Sequence, residues 1–540
     1  MKTLVNGKFV TFQGEGAASR EVFLNRMVIK DEVIERIGNR DDGATHDHGE
    51  CIDMQGRMVL PGFIDGHMHL LLLGQSLTKL DLSGCSSLDS IRDTIRQYAS
   101  DNPHLPRLMC RGWLESSIKR QAHRHMLDDL DPRPIFIDSG GLHQAWCNTA
   151  ALQELDVASM PDPQGGTIHR DSNGEATGLL SEAAVLNLIW PFLSKSSSLD
   201  QRKDAILSAI NAYTACGYTG MIDMAMDEYS WETLLSLRGT TALPMRISAY
   251  WLITPSANIP DLLAQVDRAI ALARQYNSTT SPDLRIVGIK VILDGTIDAC
   301  TAALASTYAS MSSLVAPLWD RPSLTAVVSH AATADLQIAL HAIGDATVTL
   351  AIDVLESHGD PTNSRARRHR IEHLELTSPE DALRLGKQGI TASIQPVHSD
   401  PAILGAWPKL IGHRCGRAFA YSDFERRGAP LAIGSDSPTA PHDPLKNLYV
   451  ATTRKSARKE GAGPPQGFDE GWKLGMASAA TAATRGAAYS VFQEGRVGAL
   501  REGMMADFVV VEGMGQWSPE GWAEGRVVET WFGGERVWSL

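Results

Sequence analysis

The sequence predicts an α/β fold: a (β/α)8 TIM barrel with a small β-sandwich formed by both termini and an inserted subdomain after strand 1. Three observations carry this reading. Eight short apolar stretches follow one another, helical patterns with end signals separate several of them, and His, Lys and Asp recur where the stretches end. Strand–helix alternation implies a parallel sheet, and eight repeats imply a closed barrel with its chemistry at the C-terminal rim.

Taken in order, residues 1–58 and 490–540 carry short β signals: "LVNGKFVTF", "FLNRMVI", "ADFVVVEG" and "RVVETWFGGERVW". Chain ends usually lie close together, so the two segments are expected to build one composite sandwich beside the barrel. Asn6-Gly7 reads as the turn of a hairpin. The barrel, over 59–489, has its strands in "VLPGFID", "YTGMIDMAM", "MRISAYWLI", "LRIVGIKVILDG", "LQIALHAIG", "RHRIEHLEL", "ITASIQPV" and "PLAIGSDSP". After the fifth, Asp345 can cap a helix with Val348, Ile352 and Leu355 on one face, closed by Gly359. After the sixth, Ser378 is an N-cap, Pro379 takes the first position, and Gly386 or Gly389 ends the helix. The segment from about 75 to 210 is too long for a connection and holds the strand-like runs "RLMCRGW" and "RPIFIDSGG", so it is expected to fold as a subdomain over the barrel mouth. "RKSARKEGAGPPQG" reads as an exposed loop.

Composition narrows the function. A net charge of −13 lacks the basic face that a nucleic-acid partner wants. The seven cysteines are scattered without a CxxC pair, which favours a reduced compartment over a disulfide framework. No apolar stretch approaches the ~20 residues of a membrane span. A cytoplasmic protein with a small-molecule substrate and no nucleic-acid or membrane partner is expected, with a homodimer as its expected assembly.

The chemistry begins in "LPGFIDGHMHL". Side chains alternate along a strand, so His67 and His69 point one way and Met68 the other, with Gly66 loosening the backbone before them. Two imidazoles converging from one strand end make half of a metal site. Lys290, His341, His373 and Asp436 fall at the ends of the fourth, fifth, sixth and eighth strands. Singly, each has an ordinary role: a core histidine, an ion-paired lysine, a capping aspartate. Together they form a nitrogen-and-carboxylate donor set that suits zinc, in one or two ions. An ammonium cannot bind a cation, so Lys290 requires either carbamylation or a salt bridge.

These residues carry a resemblance. "PGFIDGHMH", "KVILDG", "HAIGDA", "RIEHLEL" and "GSDSP", in this order, resemble the amidohydrolase superfamily and its family 3 branch, which includes N-substituted formamide deformylases. The likeness extends through "LHQAWCNTAAL", "GGTIHRDSNGEATGLLSEAA" and "GRVGALREGMMADFVVVEG", so it covers nearly the whole chain. It implies a metal-bearing barrel and hydrolysis of a carbon–nitrogen bond. In that scheme His67, His69 and Asp436 hold one metal and His341 and His373 a second, with carbamylated Lys290 between them; a single metal is the alternative. Asp436 is the expected general base, and a histidine such as His373 or the second metal polarises the carbonyl. Asp294 and Asp345 either orient ligands or cap and bond their loops. The branch often has an acid after the insert's tryptophan, where this chain has Leu114, so its pocket can differ. Candidate substrate contacts are Trp113, His143, Trp146, His398, Arg414 and Arg417, the arginines favouring a carboxylate or polar acyl group. A lyase, isomerase or decarboxylase on the same barrel and a non-catalytic binding relative stand as alternatives, because fold does not dictate reaction.

Overall fold

Eight parallel strands surround the core: β1 (Phe63–Met68), β2 (Tyr218–Met226), β3 (Arg246–Ile253), β4 (Leu284–Ile292), β5 (Gln337–Ala342), β6 (Arg370–His373), β7 (Thr391–Ile394) and β8 (Leu431–Ile433). Seven lie within the apolar stretches read from sequence, and β1 overlaps the end of its stretch and runs three residues past it. The computed structural model describes residues 1–540 except 15–18, 40–48, 115–116, 119, 164, 359–364 and 460–461. Neighbouring strands pair in sequence order from β1 to β8. The two outer strands approach past β8, where Asp436 N donates to His67 O (2.7 Å) and His69 N to Ser437 O (2.9 Å). Here Gly66 has a different role from the loosening expected of it. A Cβ on Gly66 would stand 2.6 Å from Ile433 O, and one on Gly434 would stand 2.3 Å from His67 N. Only two facing glycines let β1 and β8 come this close.

Helices cover the outside, several with the punctuation expected. Ser378 accepts from Asp381 N, Pro379 opens the helix, and Gly389, in the left-handed region, closes it. The helix Asp345–Glu356 starts differently, because its N-cap is Gly344. Asp345 instead accepts from Ala305 N and Ala346 N, tying the loop after β4 to the helix start. Gly359, expected to close that helix, lies outside the described residues.

Both termini enter one mixed sheet, in the strand order 535–539, 526–532, 508–512, 58–61, 2–13, 20–30, 33–38. The sheet rolls, since Ile34 N donates to Met504 O and Ala506 N to Glu32 O. Its core gathers Leu4, Phe9, Met27, Ile34, Val59, Phe508, Val510 and Trp531. Two details correct the sequence reading. Asn6-Gly7 is no hairpin turn: Lys2–Gln13 is one strand, with Asn6 at φ 55° and a register shift between Val5 and Phe9. The bulge lets this strand pair with 50–53 through its first half and with 58–59 through its second. The apolar run before His67 is also divided at Gly62, with Met58–Pro61 in the terminal sheet and Phe63–Met68 in the barrel.

Between β1 and β2 runs a six-stranded sheet, ordered 166–170, 176–182, 144–147, 135–139, 108–113, 80–81. Alternation divides its side chains cleanly. Ile135, Ile137 and Trp146 enter one core with Ile91 and Ile95, while Phe136, Ala145 and Cys147 enter another with Leu152 and Ile189. The segment starting at Arg454 is less open than expected. Arg454 is buried, packed over the rings of Phe419 and Tyr421.

Among the described residues no helix is long and apolar enough to cross a membrane.

Candidate metal centre

His67 and His69 converge as their alternation requires, while Met68 turns into the apolar core. The Nε2 atoms of both rings approach the same oxygen, Asp436 Oδ1, at 3.2 Å and 3.0 Å. Asp436 follows β8 in a left-handed conformation (φ 58°), and His373 ends β6 at φ 77°. Non-glycine residues seldom adopt this region, and a rigid scaffold usually holds such strain where aim matters. The candidate ligand atoms of His67, His69 and Asp436 lie within 4.8 Å of one another, and so do those of His373, His398 and Asp436. His341 packs on His373 with ring centroids 4.3 Å apart.

The polar atoms left over at this rim are informative. His69 Nδ1, Lys290 Nζ, His341 Nε2 and His373 Nδ1 are all buried without a hydrogen-bond partner. A buried unpaired polar atom costs roughly 1–3 kcal/mol, so Lys290 Nζ, His341 Nε2 and His373 Nδ1 together at this rim indicate a group that completes them. Imidazoles with a carboxylate suit zinc. Burial, with the nearby Lys290 ammonium, holds His341 and His373 well below the usual imidazole range, so both stay neutral electron-pair donors. Burial lowers Lys290 to about 8 despite the nearby Glu372 and Asp436 carboxylates. Burial alone would raise Asp436, but His67, His69 and His373 hold it well below the carboxylate range, as an anion.

Several supporting residues were not among those singled out from sequence. Glu372, fully buried, accepts from His67 Nδ1 (2.7 Å) and from Arg370 Nε (2.9 Å) and Nη2 (3.0 Å). That bond places the His67 proton on Nδ1 and leaves Nε2 for the site. Asp65 accepts from His67 N, Ser435 N, Ser435 Oγ and Tyr213 OH, which binds β1 to the segment after β8. A signal was present: in "RHRIEHLEL", Arg370 and Glu372 stand two apart in one strand, hence on one face. Asp294 Oδ1 stands 3.5 Å from His341 Nε2, and the carboxylate also bonds backbone. It accepts from Ile343 N, Gly344 N and Ala303 N, holding the loops after β4 and β5.

The sheet between β1 and β2 brings His143 to the cleft, 5.5 Å from His341 between ring centroids. His143 Nδ1 bonds Glu182 Oε2 at 2.7 Å. Burial opposes a charge on this ring, but Glu182 carries it above the ordinary imidazole range. His398 is also at the site, with Nδ1 on Glu375 (3.3 Å) and Nε2 on Thr439 (3.2 Å), stacked 5.9 Å from His373. The four remaining expected substrate contacts lie elsewhere. Trp113 and Trp146 pack together in the core of the inserted sheet, because strand alternation turns them away from the cleft. Arg414 donates to the carbonyls of Ser306, Thr307 and Ile411. Arg417 bonds Thr377 O and Asp423 and lies over the Trp472 ring. Both arginines hold loops, so the anionic acyl group they suggested loses its support.

Known proteins match this chain over most of its length. A family model described as "Amidohydrolase family" matches residues 50–538. The putative amidohydrolase YtcJ of Bacillus subtilis (strain 168) is 29% identical over 533 residues, covering 95% of this chain and 94% of that protein. N-substituted formamide deformylase of Arthrobacter pascens is 24% identical over 449 residues, 79% of each. The crystal structure of an uncharacterized metal-dependent hydrolase from Pyrococcus horikoshii OT3 superposes with a TM-score of 0.74 at 23% identity, covering 94% of this chain and 96% of that one, which is a likeness of fold.

Proposed function

Because the chain belongs to the amidohydrolase family, we propose that it is a zinc-dependent hydrolase of a carbon–nitrogen bond, an amide or N-formyl linkage. The observation that carries this reading is the convergence of His67, His69 and Asp436 beside the unpartnered buried atoms of Lys290, His341 and His373. His67, His69 and Asp436 would hold one ion. His341, His373 and a carbamate on Lys290 would hold a second. A metal bound there supplies Lewis-acid polarisation of a carbonyl and a water acidic enough to lose its proton near neutral pH.

The chain's own groups then have definite tasks. Asp436 is an anion with Oδ1 toward His67 and His69 and Oδ2 toward His398 (3.6 Å), so it can take a proton from water and return it to the departing nitrogen. Glu372 and Asp65 keep the histidine pair aimed. Lys290 at about 8 has enough neutral amine to attack carbon dioxide and release a proton, and the resulting carbamate would turn a repelling ammonium into a ligand. Leu142, Leu186, Trp190 and Ile292 line the cleft, and no arginine does among the described residues. The substrate best matched is an uncharged amide with an apolar substituent. We also read the rolled terminal sheet as the β-sandwich, and 75–210 as a subdomain over the mouth of the 59–489 barrel.

The test joins metal analysis of chelator-free protein to a panel of N-formyl and N-acyl amines assayed for released amine. Zinc near one or two per chain with amine release is the expected result. Active protein that holds no zinc, and takes none up, would overturn the reading. Asp436→Asn should keep most of the zinc and lower kcat by about 10²–10⁴-fold.

A further inference from the structure

We propose that the inserted sheet takes part in the reaction through a His143–Glu182 pair, with His143 contacting the polar amide group of the substrate and Glu182 positioning the ring. This rests on the hydrolase reading above and concerns how its substrate is held.

The pair is assembled by backbone pairing across two strands. Glu182 N donates to His143 O (2.8 Å), so the residues face each other at the cleft end of 144–147 and 176–182. Glu182 stands at φ 55°, a left-handed conformation that costs a non-glycine residue free energy and redirects its side chain. The barrel makes room for it. A Cβ on Gly295, just past β4, would lie 2.3 Å from Glu182 Oε1, so any larger residue there would displace the carboxylate.

The chemistry of the pair has one free end. A carboxylate only accepts, so the bond to Oε2 puts a proton on His143 Nδ1 and leaves Nε2 as the ring's available polar atom. No hydrogen bond occupies Nε2 among the described residues, and the side chain keeps 18% of its surface exposed. It lines the same cleft as His69, Lys290, His341, His373 and Asp436. A residue needed only to brace the sheet would have no reason to present its polar end beside those groups. A carboxylate–imidazole pair with the second nitrogen directed at the reacting group is how a ring is oriented for catalysis.

The experiment uses zinc-loaded full-length protein and N-hexylformamide as the probe, comparing wild type, His143→Ala, His143→Gln, Glu182→Gln and the His143→Ala/Glu182→Gln double variant. For each, kcat, KM, zinc per chain and melting temperature are measured. His143→Ala should lower kcat/KM by about 10²-fold or more with zinc and melting temperature unchanged, and Glu182→Gln should lower it by about tenfold. The double variant should fall no further than His143→Ala, because Glu182 acts through the ring. His143→Gln, closer in shape, should recover part of the loss. Near-wild-type kcat/KM in His143→Ala, additive losses in the double variant, or loss of zinc on removing His143 would each overturn the proposal. Should wild type hold no zinc and release no amine, the hydrolase reading itself fails. Calorimetric binding of N-hexylformamide then decides the pair separately: binding lost in His143→Ala upholds the contact, and unchanged binding refutes it.

Discussion

Glu372→Gln isolates what one buried carboxylate does for the metal centre. Glu372 and Arg370 are both 0% exposed, and burial alone would raise the carboxyl, yet Arg370 and His67 hold it well below the usual carboxylate range. Glutamine keeps the volume and one acceptor oxygen but removes the charge. Arg370 retains Gly66 O, Ser393 Oγ and Ser490 Oγ as acceptors and loses the anion it bonds. Breaking a buried pair this way costs about 3–5 kcal/mol. His67 competes with Arg370 for the single remaining oxygen, so its Nδ1 proton is less firmly placed and zinc affinity should fall about 10–100-fold. Urea unfolding of the metal-free protein reads the first effect, and competition with a chromophoric chelator reads the second. Adding Arg370→Met should restore part of the stability by removing the stranded charge while leaving zinc affinity low. Wild-type zinc affinity in Glu372→Gln would show that the bond to His67 does not orient the ligand.

Lys290→Ala should lose zinc and activity and regain part of both with added acetate or propionate, which can take the place of a carbamate; metal content measured with and without the acid decides it. Arg414→Ala and Arg417→Ala should leave the relative kcat/KM for charged and uncharged acyl groups unchanged, since both side chains are engaged by loop carbonyls and Asp423. A selective loss on anionic substrates would contradict that placement. His369 concerns stability rather than catalysis. Its Nδ1 accepts Ile338 N–H (3.2 Å), and burial with nearby Arg367 lowers it to about 4. The unfolded chain, at ~6.5, binds the proton first as pH falls, so this contribution is complete above 6.5 and is lost progressively down to 4, about 3 kcal/mol in all. Urea midpoints between pH 7.5 and 4 should therefore fall less steeply in His369→Asn, and an unchanged slope would refute the assignment.

Much of the centre could be read along the chain because its signals are local. Strand alternation alone puts His67 and His69 on one side of Met68, and Ser378-Pro379 announces a helix within four residues. The order of eight apolar stretches, five of them with a His, Lys or Asp near the end, carried the barrel and its rim. Other features depend on partners far apart in sequence. Glu372 reaches His67 across 305 positions, and Asp436 meets His69 across 367. Gly66 looks like a flexible joint until Gly434 is seen packed against His67. Trp113, Trp146, Arg414 and Arg417 have the chemistry of substrate contacts, but strand parity and loop carbonyls engage them elsewhere, while Glu182 gains its place from a pairing with His143. Which residue types stand at strand ends, and in what order, is legible along the chain because periodicity and end signals act over a few residues. Which of them share a site follows from the folded chain, because it depends on barrel closure and on the burial of each polar group beside a partner that closure supplies.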